Sequence, residues 1–218
     1  QANQPINHSA TEFVASWQRS TVANIDGYLL SVWRKEMPEK EESGTIACDF
    51  ESINVKADGQ SIETDFPNYP RGWDIDVSSH GTKDMCTTKG DYKSGKQAIN
   101  FDAEGDYILS PVTKAPIHKL SFWVKPSSMA TEEYDFSLVG VHVKNTLGNW
   151  EHIANIPNYW MQANGGIYTL EGDEIGNYVT QVKLTCESSF GITFAIDDIT
   201  LEDKTQAMPK ALITGSLL

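Results

Sequence analysis

The chain has 218 residues, enough for one large β domain or two small ones. Its 17 Lys and Arg stand against 30 Asp and Glu, a formal charge of -13. That balance repels phosphate backbones and argues against a nucleic-acid partner. It suits neutral sugars, divalent cations or plain solubility. No uninterrupted apolar run of ~18 residues occurs, so no membrane span is expected.

Helical periodicity is nearly absent, while strand alternation recurs along the chain. "TEFVASW" alternates Phe13, Ala15 and Trp17, and "GYLLSVW" alternates Tyr28, Leu30 and Val32. The stretch "EMPEKEESGT" at 36–45 is charged, carries Pro and Gly, and has no apolar period. It marks a linker or loose loop. "KQAINF" follows a Ser94-Gly95 turn signal. "HKLSFWVK" sets Leu120, Phe122 and Val124 against Ser121, Trp123 and Lys125. "FSLVGVHVK" sets Val139, Val141 and Val143 against Leu138, Gly140 and His142, and "NYVTQVKLTCE" alternates Val182, Leu184 and Cys186 with Gln181 and Lys183. "GITFAIDDITLE" keeps Ile192, Phe194 and Ile196 in phase, then resumes on the other phase with Ile199 and Leu201. The break falls on Asp197 and Asp198. A second charged patch, "EDKTQAMPK", follows at 202–210. Many short strands with Gly, Asn and Pro between them predict an all-β sandwich or barrel.

Two resemblances follow. Residues 8–35 resemble the early strands of a fibronectin type III domain of bacterial surface proteins, with Trp17 as its core tryptophan. The ordered series "ACDFES", "PRGWDI", "YKSGKQAI", "IHKLSFWVKP", "GNWEHIANI" and "FAIDDITLE" is similar to jelly-roll carbohydrate-binding modules and adhesin-type surface domains. The fold class implied is all-β: a jelly-roll sandwich of the galactose-binding or concanavalin-like kind, with a partial fibronectin-like region. The expected division is fibronectin-like strands at 1–42, the sandwich at 43–203, and a tail at 204–218. That tail reads either as a returning fibronectin-like strand or as an unrelated segment. The first and last strands of such a sandwich are expected to lie side by side.

That neighbourhood would bring Asp49 and Glu51 close to Asp197 and Asp198. Carboxylates so gathered repel unless a positive charge sits among them. Ca²⁺ takes six to eight oxygens and suits such a set, and the resemblance implies a structural calcium near the paired end strands. The phase change would then be a β-bulge turning oxygen toward the ion, with Asp91 and loop carbonyls adding ligands. The competing expectation is that these acids flank strand ends and pair with amides or lysines.

The sequence also carries aromatics suited to stacking on a sugar. Tyr159 and Trp160 are adjacent in "IPNYWMQANGG", with Asn158 and Gln162 close by, in a segment without strand alternation. Aromatics and amides on a loop form a plausible binding rim. Trp150, after a Gly-Asn turn, and Trp123, opposite a core triplet, complete the candidate set. Each of these aromatics also fits a buried plug.

Catalytic motifs are missing: the sequence has neither GxSxG nor HExxH. Its 30 carboxylates are too many to single out a glycosidase pair. His142 and His152 flank an expected hairpin and would approach each other. Cys48, Cys86 and Cys186 fit either one disulfide and a free thiol or three buried thiols. The expectation is a non-catalytic glycan-binding module of an exported bacterial cell-surface protein, secreted or displayed, with a polysaccharide as partner. A spacer or adhesive domain that binds other surface proteins is the second reading, and a jelly-roll polysaccharide-active enzyme the third.

Overall fold

The computed structural model describes residues 43–62, 68–77, 83–129, 137–176 and 178–204. The fibronectin-like strands expected at 1–42, with Trp17, and the tail beyond Lys204 lie outside the described residues. Residues 42–205 group as one unit. Two antiparallel sheets face each other, and the described residues contain no α-helix. The chain is an all-β sandwich, as the alternation predicts.

The six-stranded sheet runs β3 (Met85–Cys86), β4 (Ala98–Phe101), β11 (Phe194–Lys204), β6 (Ile117–Pro126), β9 (Gly166–Glu171), with β1 (Ser43–Cys48) also paired to β11. The five-stranded sheet runs β2 (Asp74–Asp76), β5 (Tyr107–Leu109), β10 (Val179–Ser188), β7 (Leu138–Asn145), β8 (Trp150–Pro157). Alternation selects the inner faces. Leu120, Phe122 and Val124 of β6 are fully buried, as are Val139 and Val141 of β7, and they meet Leu184 and Cys186 of β10 in one core.

The expected pairing of first and last strands is present. Ser43 lies opposite Lys204 and Cys48 opposite Ile199, in antiparallel register. The phase break is a β-bulge: the register against β6 shifts between Asp197 and Thr200, and Asp198 adopts φ 48°. One inserted residue returns Ile199 and Leu201 to the core face already used by Phe194 and Ile196. All four are buried. The bulge also marks a change of neighbour. β11 pairs with β4 along Phe194–Ile196 and with β1 from Ile199 onward.

The outer face of the six-stranded sheet carries a second small core. Trp123 packs with Ala98 and Ala195, and Cys86 and Tyr92 close over it. The alanines leave room for an indole, and Gly165 completes the roof. At φ +81°, a Cβ on Gly165 would stand 2.0 Å from Trp123 Cζ2, so only glycine permits this approach. All three cysteines are free thiols. Burial pushes Cys48, Cys86 and Cys186 up to about 12, which keeps them protonated and inert.

Candidate functional site

The acidic bulge is held by backbone amides. Asp197 is fully buried. Its Oδ2 accepts from the amides of Lys93 (2.8 Å) and Ser94 (3.1 Å), and its Oδ1 from Asp198 (2.8 Å). Asp198 Oδ1 accepts from Ser94 Oγ at 2.6 Å. Glu51 Oε1 accepts from the amides of Lys96 (2.9 Å) and Gln97 (3.1 Å), and Asp49 Oδ1 from Glu51 N at 3.1 Å. Asp91, the further candidate, pairs with Lys125 Nζ at 2.6 Å. Three of the four expected ligands therefore converge on one loop, 93–97, whose donors engage one oxygen of each. Among the described residues no three His, Cys, Asp or Glu side chains gather as a metal cage. Amide and hydroxyl donors thus already offset part of the repulsion among these carboxylates that calcium was expected to balance. Burial raises Asp197 to about 6, against the opposing bonds from Ser94, Lys93 and Asp198. A raised carboxyl can mark a general acid, but this one is sealed from solvent and works on the fold.

The six candidate ligand residues divide among three places. Trp123 is buried under Gly165 and offers no open face. Asn158 is also fully buried, with neither side-chain polar atom hydrogen-bonded among the described residues. Tyr159 and Trp160 occupy a short 3-10 turn after β8, with rings edge to face at 5.6 Å. Trp160 is 64% exposed, and its carbonyl accepts from Tyr168 Oη at 2.9 Å. Gln162 is exposed beside them. Trp150 stands at the other end of β8, about 23 Å away at the strand's rise. The loop rim and Trp150 therefore belong to different surfaces.

Trp150 belongs to the outer face of the five-stranded sheet, where register collects residues from several strands. Lys144 pairs with Trp150 across β7 and β8, and Lys183 with His142 across β10 and β7. Lys144 Nζ lies 5.6 Å and Lys183 Nζ 5.5 Å from the Trp150 ring, and Lys183 Nζ is 5.8 Å from the Tyr107 ring. The expected approach of His142 and His152 is realised, with ring centroids 4.8 Å apart. His142 Nε2 meets Glu187 Oε1 at 2.6 Å, and Thr185 Oγ1 donates to the same oxygen. His152 Nε2 meets Asn155 Oδ1 at 2.9 Å. Burial pushes the Glu187 carboxyl up, but the bonds from Thr185 and His142 and the charges of both histidines outweigh it and leave it below its ordinary value.

Of this face, sequence reasoning had named Trp150 as a ligand residue and expected the two histidines to meet. Tyr107, Lys144 and Lys183 were missed. The outward phase of "VHVK" and "VTQVK" could have indicated the lysines, but only register shows what they meet. A concavity of about 360 Å³ lies on the opposite sheet, between β1, β6, β9 and β11, lined by Ala47, Asp49, Ser121, Ile167, Asp198 and Thr200 among others. It contains no aromatic ring on which a sugar could stack.

The sequence matches no protein-family model, and no curated protein is significantly similar to it. Solved structures of similar fold include carbohydrate-binding modules and adhesin domains. The K1 adhesin domain of Lys-gingipain from Porphyromonas gingivalis W83 is 12% identical, with a TM-score of 0.49 over 75% of this chain and 99% of that one. A family 61 carbohydrate-binding module solved with β-1,4-galactotriose is 15% identical, with a TM-score of 0.42 over 61% of this chain and 88% of that one. A family 29 module variant solved with cellulohexaose is 14% identical, with a TM-score of 0.41 over 72% of this chain and 91% of that one.

Proposed function

We propose that this chain is a non-catalytic glycan-binding module of an exported bacterial cell-surface protein, and that the outer face of its five-stranded sheet is the binding surface. The observation that carries the reading is the grouping of Trp150, Tyr107, His142 and His152 with polar partners on one open face. Flat rings offer stacking surfaces to the C–H face of a sugar, while amides, carboxylates and cations bond its hydroxyls. The rings sit on paired strands, which hold them more rigidly than a loop would. Glu187 is not poised as a general acid. A general acid needs a raised pKa, whereas this carboxyl is lowered and engaged by His142 and Thr185. No helix among the described residues is long and apolar enough to cross a membrane.

Calorimetry of the full chain against a panel of polysaccharides tests this. Binding that survives Trp160→Ala and is lost in Trp150→Ala is the expected result. Absence of binding at millimolar concentrations across the panel rejects the reading.

A protein partner is the second reading, and a separate observation favours it. Val112, Leu147 and Tyr178 are exposed apolar side chains. Backbone bonds from Thr113 N to Thr180 O and from Thr146 N to Tyr178 O bring them to one end of the five-stranded sheet. Exposed apolar side chains gathered at one end of a sheet favour a protein contact.

A further inference from the structure

We propose that the sheet face recognises its glycan through an anionic substituent, a uronate carboxylate or a sulfate ester, seated between the ammonium groups of Lys144 and Lys183 beside Trp150. The inference rests on the glycan reading above and narrows it to acidic polysaccharides.

Cations are scarce in this chain, 17 against 30 acids, yet two of them converge on one indole at 5.6 and 5.5 Å. The acids of this sheet have other hydrogen-bond donors and keep their charge. Glu187 is held by His142 and Thr185. Asp74 Oδ2 accepts from Tyr107 Oη at 3.2 Å, and Glu151 Oε1 from Asn145 Nδ2 at 2.9 Å. Asp76 is also engaged. Lys144 and Lys183, by contrast, meet only rings among the described residues, with no carboxylate within ion-pair distance. Lys119 and Lys125, on the other sheet, reach Glu202 at 3.3 Å and Asp91 at 2.6 Å instead.

Ring contacts attract an ammonium but leave its charge uncompensated, and two ammoniums at one ring repel each other. An anion beside the ring accepts charge-assisted hydrogen bonds from these ammonium groups. A neutral sugar stacks on Trp150 without gaining such a charge-assisted bond.

The test is calorimetry of the full chain against three probes: oligogalacturonate, its neutral β-1,4-galacto-oligosaccharide counterpart, and a sulfated galactan oligosaccharide. At about 0.1 M NaCl, where screening within about 10 Å mutes the long-range repulsion from the chain's charge of -13, the charged probes are expected to bind about tenfold tighter than the neutral one. Raising NaCl to about 0.5 M should erase that preference, because screening then acts within a few ångströms. The Lys144→Met, Lys183→Met double variant keeps the aliphatic stems and should lose the preference, while Lys144→Arg, Lys183→Arg should keep it. Relative affinity for the carboxylate and sulfate probes identifies which anion fits. Equal affinity for neutral and charged probes overturns the proposal and leaves the glycan reading standing, as does a preference unmoved by salt. Failure of all three probes to bind overturns this proposal, while the glycan reading stands or falls on the wider polysaccharide panel. The salt titration uses the unmodified protein, so the outcome does not depend on the variants folding.

Discussion

Asp197→Asn should make this protein's stability less responsive to mild acid. The buried carboxyl has its pKa raised from 3.8 to about 6. Native protein therefore holds a proton at pH 5 that the unfolded chain has largely released, and folding takes up that proton. By linkage, this contribution is fully present below the unfolded value near 4 and is lost as pH rises through about 6. At about 1.4 kcal/mol per tenfold change in proton affinity, the whole effect is about 3 kcal/mol, of which about 1.3 kcal/mol develops between pH 7 and pH 5. The Asn variant cannot take up the proton. At pH 7 it escapes the cost of a buried charge but turns an NH₂ group toward an amide that the carboxylate accepted, a loss of about 1–3 kcal/mol. At pH 5 the native carboxyl is itself mostly neutral, so Asn retains only the loss. Urea titrations of both proteins at the two pH values should show the variant's deficit growing by about 1 kcal/mol on acidification. Subtracting the wild type cancels Asp84, whose pKa burial also raises. Glu187, with its lowered pKa, opposes these effects only below its ordinary value, outside this window. A deficit equal at both pH values, or one that shrinks at pH 5, would refute the account of Asp197.

Two further measurements bear on the fold. Gly165→Ala puts a methyl group 2.0 Å from Trp123 Cζ2 at φ +81° and should cost about 2–4 kcal/mol by denaturant midpoint; a cost below about 0.5 kcal/mol would mean that the loop does not press on the indole. Chelation with EDTA should leave the melting temperature unchanged, since amide donors already hold the carboxylates of the bulge; a fall on the order of 5 °C or more would place a structural cation there after all.

Much of the architecture was legible because strand periodicity is a local property. Val139, Val141 and Val143 alternate with His142 over a few residues, and burial follows that alternation. The break at Asp197-Asp198 was legible for the same reason. A two-residue period cannot change phase without an inserted residue, so a bulge was the reading available. The candidate site was less legible. Trp123 shares its outward phase with Ser121 and Lys125, which suits an open face. What buries it is Gly165, about forty positions along the chain, together with Ala98, Ala195 and Tyr92. Asn158, adjacent to the exposed Tyr159 and Trp160, turns inward because a 3-10 turn does not alternate sides as a strand does.

From residue order alone came the strands, their inward sides and the bulge, since each depends on neighbours two positions apart. Tertiary structure decided the meetings. Lys144, Trp150, Lys183 and Tyr107 come from four strands, and a shift of one residue in any register would turn its side chain to the opposite face. The same holds for the acids of the bulge: the carboxylates were visible in the sequence, but whether amides or an ion would face them depended on how loop 93–97 closed over the sheet. Packing between distant segments sets that closure, and no local pattern encodes it.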